Sequence, residues 1–174
     1  MPDLREQLRQ ILQGPACFMG IGNADYGDDG FGVYLAQGLM DAGVPDVIIA
    51  GKNPERWLGQ LSGFDHVIFL DAVELGTDPG AVVLLDSTQM AVRFPQLSTH
   101  KISLGLLSQW IEGNGNTRAW LLGTQPESLK GLQLSPALQK NLELLSRLLT
   151  ECIGTGALAS LADRKVDSEL GTTA

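Results

Sequence analysis

The hydrophobic pattern of the chain alternates between short apolar runs and segments whose apolar residues recur every three or four positions. The short runs predict strands at residues 16–21, 46–50, 66–71, 80–85 and 118–123. The helical spacing predicts helices at residues 3–13, 31–43, 54–61, 104–111 and 138–149. Strands that alternate with helices are typical of an α/β fold. We therefore predict a three-layer sandwich, with a twisted, mostly parallel sheet of about five strands and helices on both faces.

Two stretches lack a clear period. Residues 86–101 are predicted to form a long loop, and residues 155–174, with Ala, Gly, Ser and mixed charges, a disordered tail. The chain shows no internal repeat and no sign of a second domain. We therefore predict one α/β domain over residues 1–154.

Charge and composition narrow the possible partners. The 174 residues include 12 Lys and Arg against 20 Asp and Glu, a formal net charge of −8. Nucleic acid and anionic membranes bind basic patches, so we expect neither as a partner. No apolar run approaches the roughly 20 residues of a membrane helix, and residues 1–13 lack the apolar core of a signal peptide. We expect a cytoplasmic protein in which Cys17 and Cys152 are buried; the oligomeric state stays open.

A glycine-rich loop follows the first predicted strand. Gly20-Ile21-Gly22 suggests a dinucleotide fingerprint, but Asp25 stands where its third glycine should be. The loop also carries Asp28 and Asp29, which would repel a pyrophosphate from the helix N-terminus that follows. A nucleotide- or phosphate-binding α/β enzyme is therefore a disfavoured alternative. Taken alone, Asp28 is predicted to cap the next helix.

Three residues that can bind a metal or move a proton, Asp29, Asp71 and His100, are predicted to lie at one edge of the sheet. Asp71 ends an apolar strand, where a carboxylate must be paired, hydrogen-bonded or metal-bound. Sites in such sheets form beyond the carboxyl ends of the strands, where we expect Asp29, Asp71 and His100 from three separate connections. Two carboxylates and one imidazole make an open site suited to Ni, Zn, Cu or Fe, and too open for structural zinc. His66, beside Asp65, is expected to be structural.

Taken together and in order, five blocks over residues 16–150 resemble the nickel–iron hydrogenase maturation proteases. The resemblance is greatest to the branch that processes the large subunit of formate hydrogenlyase-type hydrogenases, the hydrogenase 3 branch. The blocks are Gly20-Ile21-Gly22-Asn23, Gly27-Asp28-Asp29-Gly30-Phe31-Gly32, Leu70-Asp71-Ala72, Thr99-His100 and Leu122-Gly123-Thr124-Gln125-Pro126-Glu127.

The resemblance implies an endopeptidase that removes a C-terminal extension from the nickel-loaded precursor of a hydrogenase large subunit. It implies that Asp29, Asp71 and His100 recognise the metal, with Asp where some members of the family have Glu. The nickel would arrive on the precursor, held by cysteine thiolates of the precursor. The site therefore needs no resident metal and is expected to be empty between reactions.

The route of hydrolysis stays open at this stage, since the sequence shows no Ser-His-Asp or Cys-His set. The metal could polarise the scissile carbonyl or activate a water, or an aspartate could act as general base. We predict that Asp29 and Asp71 are catalytic, as in an aspartyl-type peptidase, and that Asn23 and Asp28 help to bind substrate. A non-catalytic metal-sensing chaperone for the same precursor is the main alternative.

Overall fold

The computed structural model describes residues 2–94 and 103–170, with the backbone alone described for residues 155–170. The strands are β1 (Ala16–Ile21), β2 (Val47–Gly51), β3 (His66–Ala72), β4 (Val82–Asp86) and β5 (Arg118–Thr124). The α-helices are α1 (Leu4–Ile11), α2 (Phe31–Asp41), α3 (Ser87–Arg93), α4 (Leu104–Gly113) and α5 (Pro136–Leu170). Short 3₁₀ helices cover Gly27–Gly30 and Pro54–Gln60.

The strands form one five-stranded sheet in the order β2-β1-β3-β5-β4. Strands β2, β1, β3 and β5 are parallel, and β4 runs antiparallel to β5 at one side of the sheet. The predicted mostly parallel sheet of about five strands is confirmed. We call the side where β1, β2, β3 and β5 end the carboxyl edge, and the opposite side the amino edge.

Helices cover both faces of the sheet, which confirms the three-layer prediction. Alternate side chains of a strand point to opposite faces. In β1, Phe18 packs into a core formed with α1, α2 and α5. Its neighbours Cys17 and Met19 pack into a second core, formed with α3 and α4. The central strands are therefore apolar on both faces, as their unbroken apolar runs indicated.

The prediction that residues 86–101 form a loop is wrong for the part that the structure describes. Helix α3 follows β4 directly and begins with a capping box. The Gln89 N–H donates to Asp86 Oδ1 at 2.8 Å, and the Asp86 N–H donates to Gln89 Oε1 at 2.9 Å. This pair satisfies backbone groups that a short helix otherwise leaves free, although the segment has no long apolar period.

Because β4 runs antiparallel to β5, the connection from β4 to β5 begins at the amino edge of the sheet. Because β4 is antiparallel, Asp86 lies at the amino edge, paired with Trp120 of β5. Helix α3 therefore has to carry the chain back, and α4 returns it to the start of β5. Phe94 and Ser103, the described residues on either side of the gap, consequently lie toward the carboxyl edge.

Helix α5 differs from the final helix that the sequence predicts. It continues through residues 155–170, where we expected a disordered tail. A glycine costs about 1 kcal/mol relative to alanine inside a helix, so Gly154 and Gly156 need not end it among Ala and Leu residues. In the part of the chain that the structure describes, no helix is long and apolar enough to cross a membrane.

Candidate active site

The topology of the sheet places a switch in strand order at the carboxyl edge, between β1 and β3. From β1 the chain moves to β2 on one side, and from β2 it returns to β3 on the other side of β1. Ligand sites of open α/β sheets form at such a switch in strand order. Residues 22–30, here called the glycine loop, leave β1 at this point, and Asp71 lies at the end of β3.

Gly22 lies close to both predicted catalytic residues, Asp29 and Asp71. A side chain at this position would collide with the backbone carbonyl oxygen of Asp29, and its Cβ would lie 3.6 Å from Asp71 Oδ1. Gly22 also has a φ of 132°, a conformation that side chains disfavour. The structure therefore brings the Asp29 backbone carbonyl and the Asp71 carboxylate close to the same glycine. The catalytic and metal-recognising parts of the two side chains stay predictions.

Hydrogen bonds within the glycine loop fix its shape. The Asn23 N–H donates to the Asp29 carbonyl oxygen at 3.0 Å, and the Asp29 N–H donates to the Tyr26 carbonyl oxygen at 2.9 Å. The Asn23 side chain accepts from the Asp25 N–H at 3.0 Å. The Asn23 carboxamide oxygen thus closes a turn of the loop, and its predicted part in binding substrate stays a prediction.

Asp28 is placed differently from what the sequence predicts. Helix α2 begins at Phe31 with no side-chain cap, so the capping prediction is wrong. The Asp28 carboxylate is 1% exposed and accepts hydrogen bonds from the N–H groups of Ser135 at 2.7 Å, Glu127 at 2.9 Å and Ser128 at 3.4 Å. A side chain so enclosed faces the protein interior, where it cannot contact a substrate as predicted.

Asp29 and Asp71 differ in their surroundings. Asp29 is partly exposed, whereas Asp71 is 8% exposed. Asp71 lies two residues from Phe69 in β3 and two residues from Val73, just after β3, and both pack in the core formed with α3 and α4. Its side chain therefore lies on the side of the sheet covered by the α3–α4 pair.

His100, the third member of the predicted metal-recognising set, lies outside the described residues. Within the described ranges, no group of three or more His, Cys, Asp or Glu residues is arranged to hold a metal ion. Of the predicted set, the structure describes Asp29 and Asp71, whose carboxylates would supply oxygen donors. A complete set of three ligands would need a further donor, and His100 stays the predicted one.

Sequence reasoning missed the part played by Gln125, which is 4% exposed at the end of β5. Its Oε1 accepts from the Leu75 N–H at 2.6 Å, and its Nε2 donates to Glu74 Oε1 at 2.9 Å and to the Pro126 carbonyl oxygen at 3.0 Å. The amide therefore ties the segment after β3 to the segment after β5. Its place directly after a buried strand was the signal that could have identified it.

The remaining reactive side chains lie in settings that do not suit catalysis. Both cysteines are buried, as predicted. Burial raises the pKa of Cys17 to about 12 and also raises the pKa of Cys152, so neither thiol forms a thiolate readily. His66 lies at the amino edge, where its Nδ1 accepts from the Trp120 indole N–H at 3.1 Å, and burial lowers its pKa. This hydrogen bond is consistent with the structural part predicted for His66.

Comparison with known proteins identifies a family. Residues 33–151 match the family model described as hydrogenase maturation protease. The hydrogenase 3 maturation protease of Escherichia coli K12 is 28% identical over 148 residues, covering 82% of this chain and 93% of the relative.

Solved structures agree with this assignment. A NiFe hydrogenase maturation protease from Thermococcus kodakarensis is 29% identical, with a TM-score of 0.73 over 85% of this chain and 99% of that one. A hydrogenase maturating endopeptidase from Escherichia coli, 23% identical, shares the fold with a TM-score of 0.65 over 86% of this chain and 93% of that one. The family model covers more than half of the chain, and the resemblance to this family is thereby confirmed. The chain therefore belongs to the hydrogenase maturation protease family and is a peptide-bond hydrolase.

Proposed function

We propose that this enzyme removes a C-terminal extension from the precursor of a NiFe hydrogenase large subunit, after recognising nickel that the precursor carries. The observation that carries the proposal is the approach of the Asp29 backbone carbonyl and the Asp71 carboxylate to Gly22, where the strand order switches between β1 and β3. The names of the relatives support the precursor as the partner. We also expect the reaction to take place in the cytoplasm, which the two free cysteines favour.

Nickel is part of the substrate in this proposal. Thiolates of the precursor would hold the metal, and Asp29, Asp71 and His100 would add oxygen and nitrogen donors that nickel accepts. The position of Asp71 is consistent with this set of ligands, because its side chain lies on the face of the sheet that α3 and α4 cover. The connection between these helices contains His100. Recognition would then depend on a metal that only a correctly assembled precursor presents.

Hydrolysis is proposed to use water, with one of the two aspartates as general base. Cys17 and Cys152 are poor nucleophiles because both are buried and their pKa values are raised. A carboxylate that removes a proton from water must lie within hydrogen-bond reach of it, and the partly exposed Asp29 can meet that requirement at the protein surface. The more buried Asp71 would then hold the metal-bearing end of the precursor.

The test is the mass of the large subunit after incubation with the enzyme. We expect loss of a C-terminal peptide from nickel-loaded precursor and no change in nickel-free precursor. Replacing Asp29 or Asp71 by Asn, or His100 by Ala, should slow cleavage about 10²–10⁴-fold, the usual effect of losing a group that moves a proton or orients the substrate. Asp25→Asn is the matched control, because Asp25 is an exposed carboxylate of the same loop.

Other outcomes of the same experiment would favour the alternatives. Binding of the precursor without a change in its mass would indicate a metal-sensing chaperone. Tight binding of a nucleotide would indicate a phosphate-using enzyme. Equal cleavage of nickel-loaded and nickel-free precursor would contradict recognition of the metal while leaving the peptidase activity intact.

A further inference from the structure

The buried carboxylate of Asp28 has no part in the chemistry proposed above, although Asp28 adjoins Asp29. A buried carboxylate is unfavourable unless hydrogen bonds replace the water that it loses. At Asp28 these bonds come from backbone N–H groups of Glu127, Ser128 and Ser135, at 2.9, 3.4 and 2.7 Å. Because the acceptor is a carboxylate, these bonds are stronger than those between neutral groups.

The three donors belong to one segment, residues 125–135, here called the β5–α5 loop. Ser135 stands directly before α5, and its Oγ accepts from the Leu138 N–H at 3.4 Å, as an N-cap residue does. The carboxylate of Asp28 therefore joins the glycine loop to the residue before the long helix and to the segment that follows β5. The bonded residues lie 99 to 107 positions apart in sequence.

The two loops also touch directly. A Cβ at Gly27 would lie 2.8 Å from the carbonyl oxygens of both Gly131 and Gln133, closer than a side chain allows. Gly27 has a φ of 46°, which favours glycine as well. The glycine loop is thus pressed against the β5–α5 loop on the side of the turn that contains Asp28.

Asp29 shares a single 3₁₀ turn, Gly27–Gly30, with Asp28. The backbone bonds of Asp29 go to Asn23 and Tyr26, within the same loop. They fix Asp29 relative to the loop, whereas the Asp28 carboxylate fixes the loop relative to β5 and α5. A rotation of this turn would move Asp29 away from Gly22 and Asp71.

We infer that Asp28 is a positioning residue for peptide hydrolysis. Its carboxylate locks the turn Gly27–Gly30, which contains Asp29, in place against the β5–α5 loop. The cleavage reaction used to measure this rests on the proposed function. The lock itself is a property of the free enzyme and can be measured without substrate.

Asp28→Asn tests the inference with almost no change in volume. An amide can accept from one side only, so at least one of the backbone donors would face an NH₂ group. We expect kcat for nickel-loaded precursor to fall about 10–100-fold, with KM within about twofold, since misplacing a reacting group affects the chemical step. Amide hydrogen exchange should become faster in residues 22–30 and 125–135 and stay unchanged in β1 and β3. Asp25→Asn should match the wild type in all of these.

A second pair of variants covers the case in which Asp28→Asn does not fold. Glu127→Pro removes one N–H donor and leaves Asp28 with those of Ser128 and Ser135. Glu127→Ala keeps the N–H of residue 127 and removes only an exposed side chain. We expect Glu127→Pro alone to lower kcat and to speed exchange in the two loops.

Three results would overturn the inference. The first is a wild-type kcat in Asp28→Asn, and the second is unchanged exchange in residues 22–30. The third is faster exchange spread evenly over the whole sheet, which would mean that Asp28 supports stability and does not position Asp29. If the wild-type enzyme cleaves no nickel-loaded precursor, the proposed function fails. In that case the rate of amide hydrogen exchange in residues 22–30 of Asp28→Asn still tests whether the Asp28 carboxylate fixes the turn that contains Asp29.

Discussion

Replacing Gly32 by Ala should separate helix α2 from the two strands that form the candidate site. Gly32 is buried in the first turn of α2. A Cβ there would collide with the carbonyl oxygens of Leu70 and Ile21 and would lie 2.6 Å from the Leu70 carbonyl carbon. Because non-bonded carbon atoms prefer about 3.5–4.0 Å, the helix and β3 would have to separate by roughly 1 Å.

The size of the effect follows from this displacement. Adding a methylene to a packed interior costs about 1–3 kcal/mol, so we expect Gly32→Ala to lower the free energy of unfolding by about 2 kcal/mol. For a chain of this size that corresponds to a fall in Tm of about 4–8 °C. Gly32 lies three residues after Asp29, and Leu70 directly precedes Asp71. A shift of about 1 Å between reacting groups can slow cleavage about 100-fold.

The same helix provides the control. A Cβ at Gly38 would meet only Ser146 Oγ, at an ordinary 3.5 Å. Gly38→Ala therefore adds the same methyl group without a collision and should raise the free energy of unfolding by about 0.5–1 kcal/mol. Urea and thermal unfolding of both variants measure stability, and cleavage of nickel-loaded precursor measures the site.

Equal stability of Gly32→Ala and Gly38→Ala would refute the reasoning, because the two changes differ chiefly in what the new methyl group meets. A destabilised Gly32→Ala enzyme with wild-type kcat would refute only the predicted slowing of cleavage. It would mean that the packing of α2 against β3 does not control the placement of Asp29 and Asp71.

Three further predictions concern groups outside the reaction. Cys17, with a pKa of about 12, should react with dithionitrobenzoate in the folded protein roughly 10³-fold more slowly than a free thiol at about pH 8, followed by absorbance. Burial lowers the pKa of His66 below 6.5, so the stability that it contributes is present above pH 6.5 and is lost as the pH falls. His66→Gln, which can still accept from Trp120, should reduce the loss measured by urea unfolding between about pH 7 and about pH 5. Gln125→Met leaves the Leu75 N–H without its acceptor and should lower the free energy of unfolding by about 1–3 kcal/mol in urea.

Each of these has a clear contrary result. Rapid labelling of Cys17 in the folded protein would contradict its burial. An unchanged pH dependence in His66→Gln would assign the acid sensitivity to other groups. Wild-type stability of Gln125→Met would mean that water or a neighbouring group replaces the buried amide at Leu75.

Local patterns were enough to predict the central part of this fold. β1 and β3 lie within one residue of their predicted ends, because an unbroken apolar run is a property of adjacent residues. The strand ends in turn predicted Asp29 and Asp71 at one edge of the sheet, because parallel strands end at the same edge. The direction of β4 and the helix after it were not visible in this way, since α3 depends on a capping pair more than on apolar spacing.

The identity of a side chain's partners required the tertiary structure. From the sequence, Asp28 and Asp29 are adjacent carboxylates of one loop, and we predicted that Asp28 caps a helix or binds substrate and that Asp29 is catalytic. In the folded chain, one is enclosed by N–H groups about a hundred residues away, and the other stays partly exposed beside Gly22. The sequence determined which residues carry acidic oxygens and on which loop they lie. The packing of the β5–α5 loop against the glycine loop decided which of the two is structural, because hydrogen bonds between distant segments leave no periodic signal in the chain.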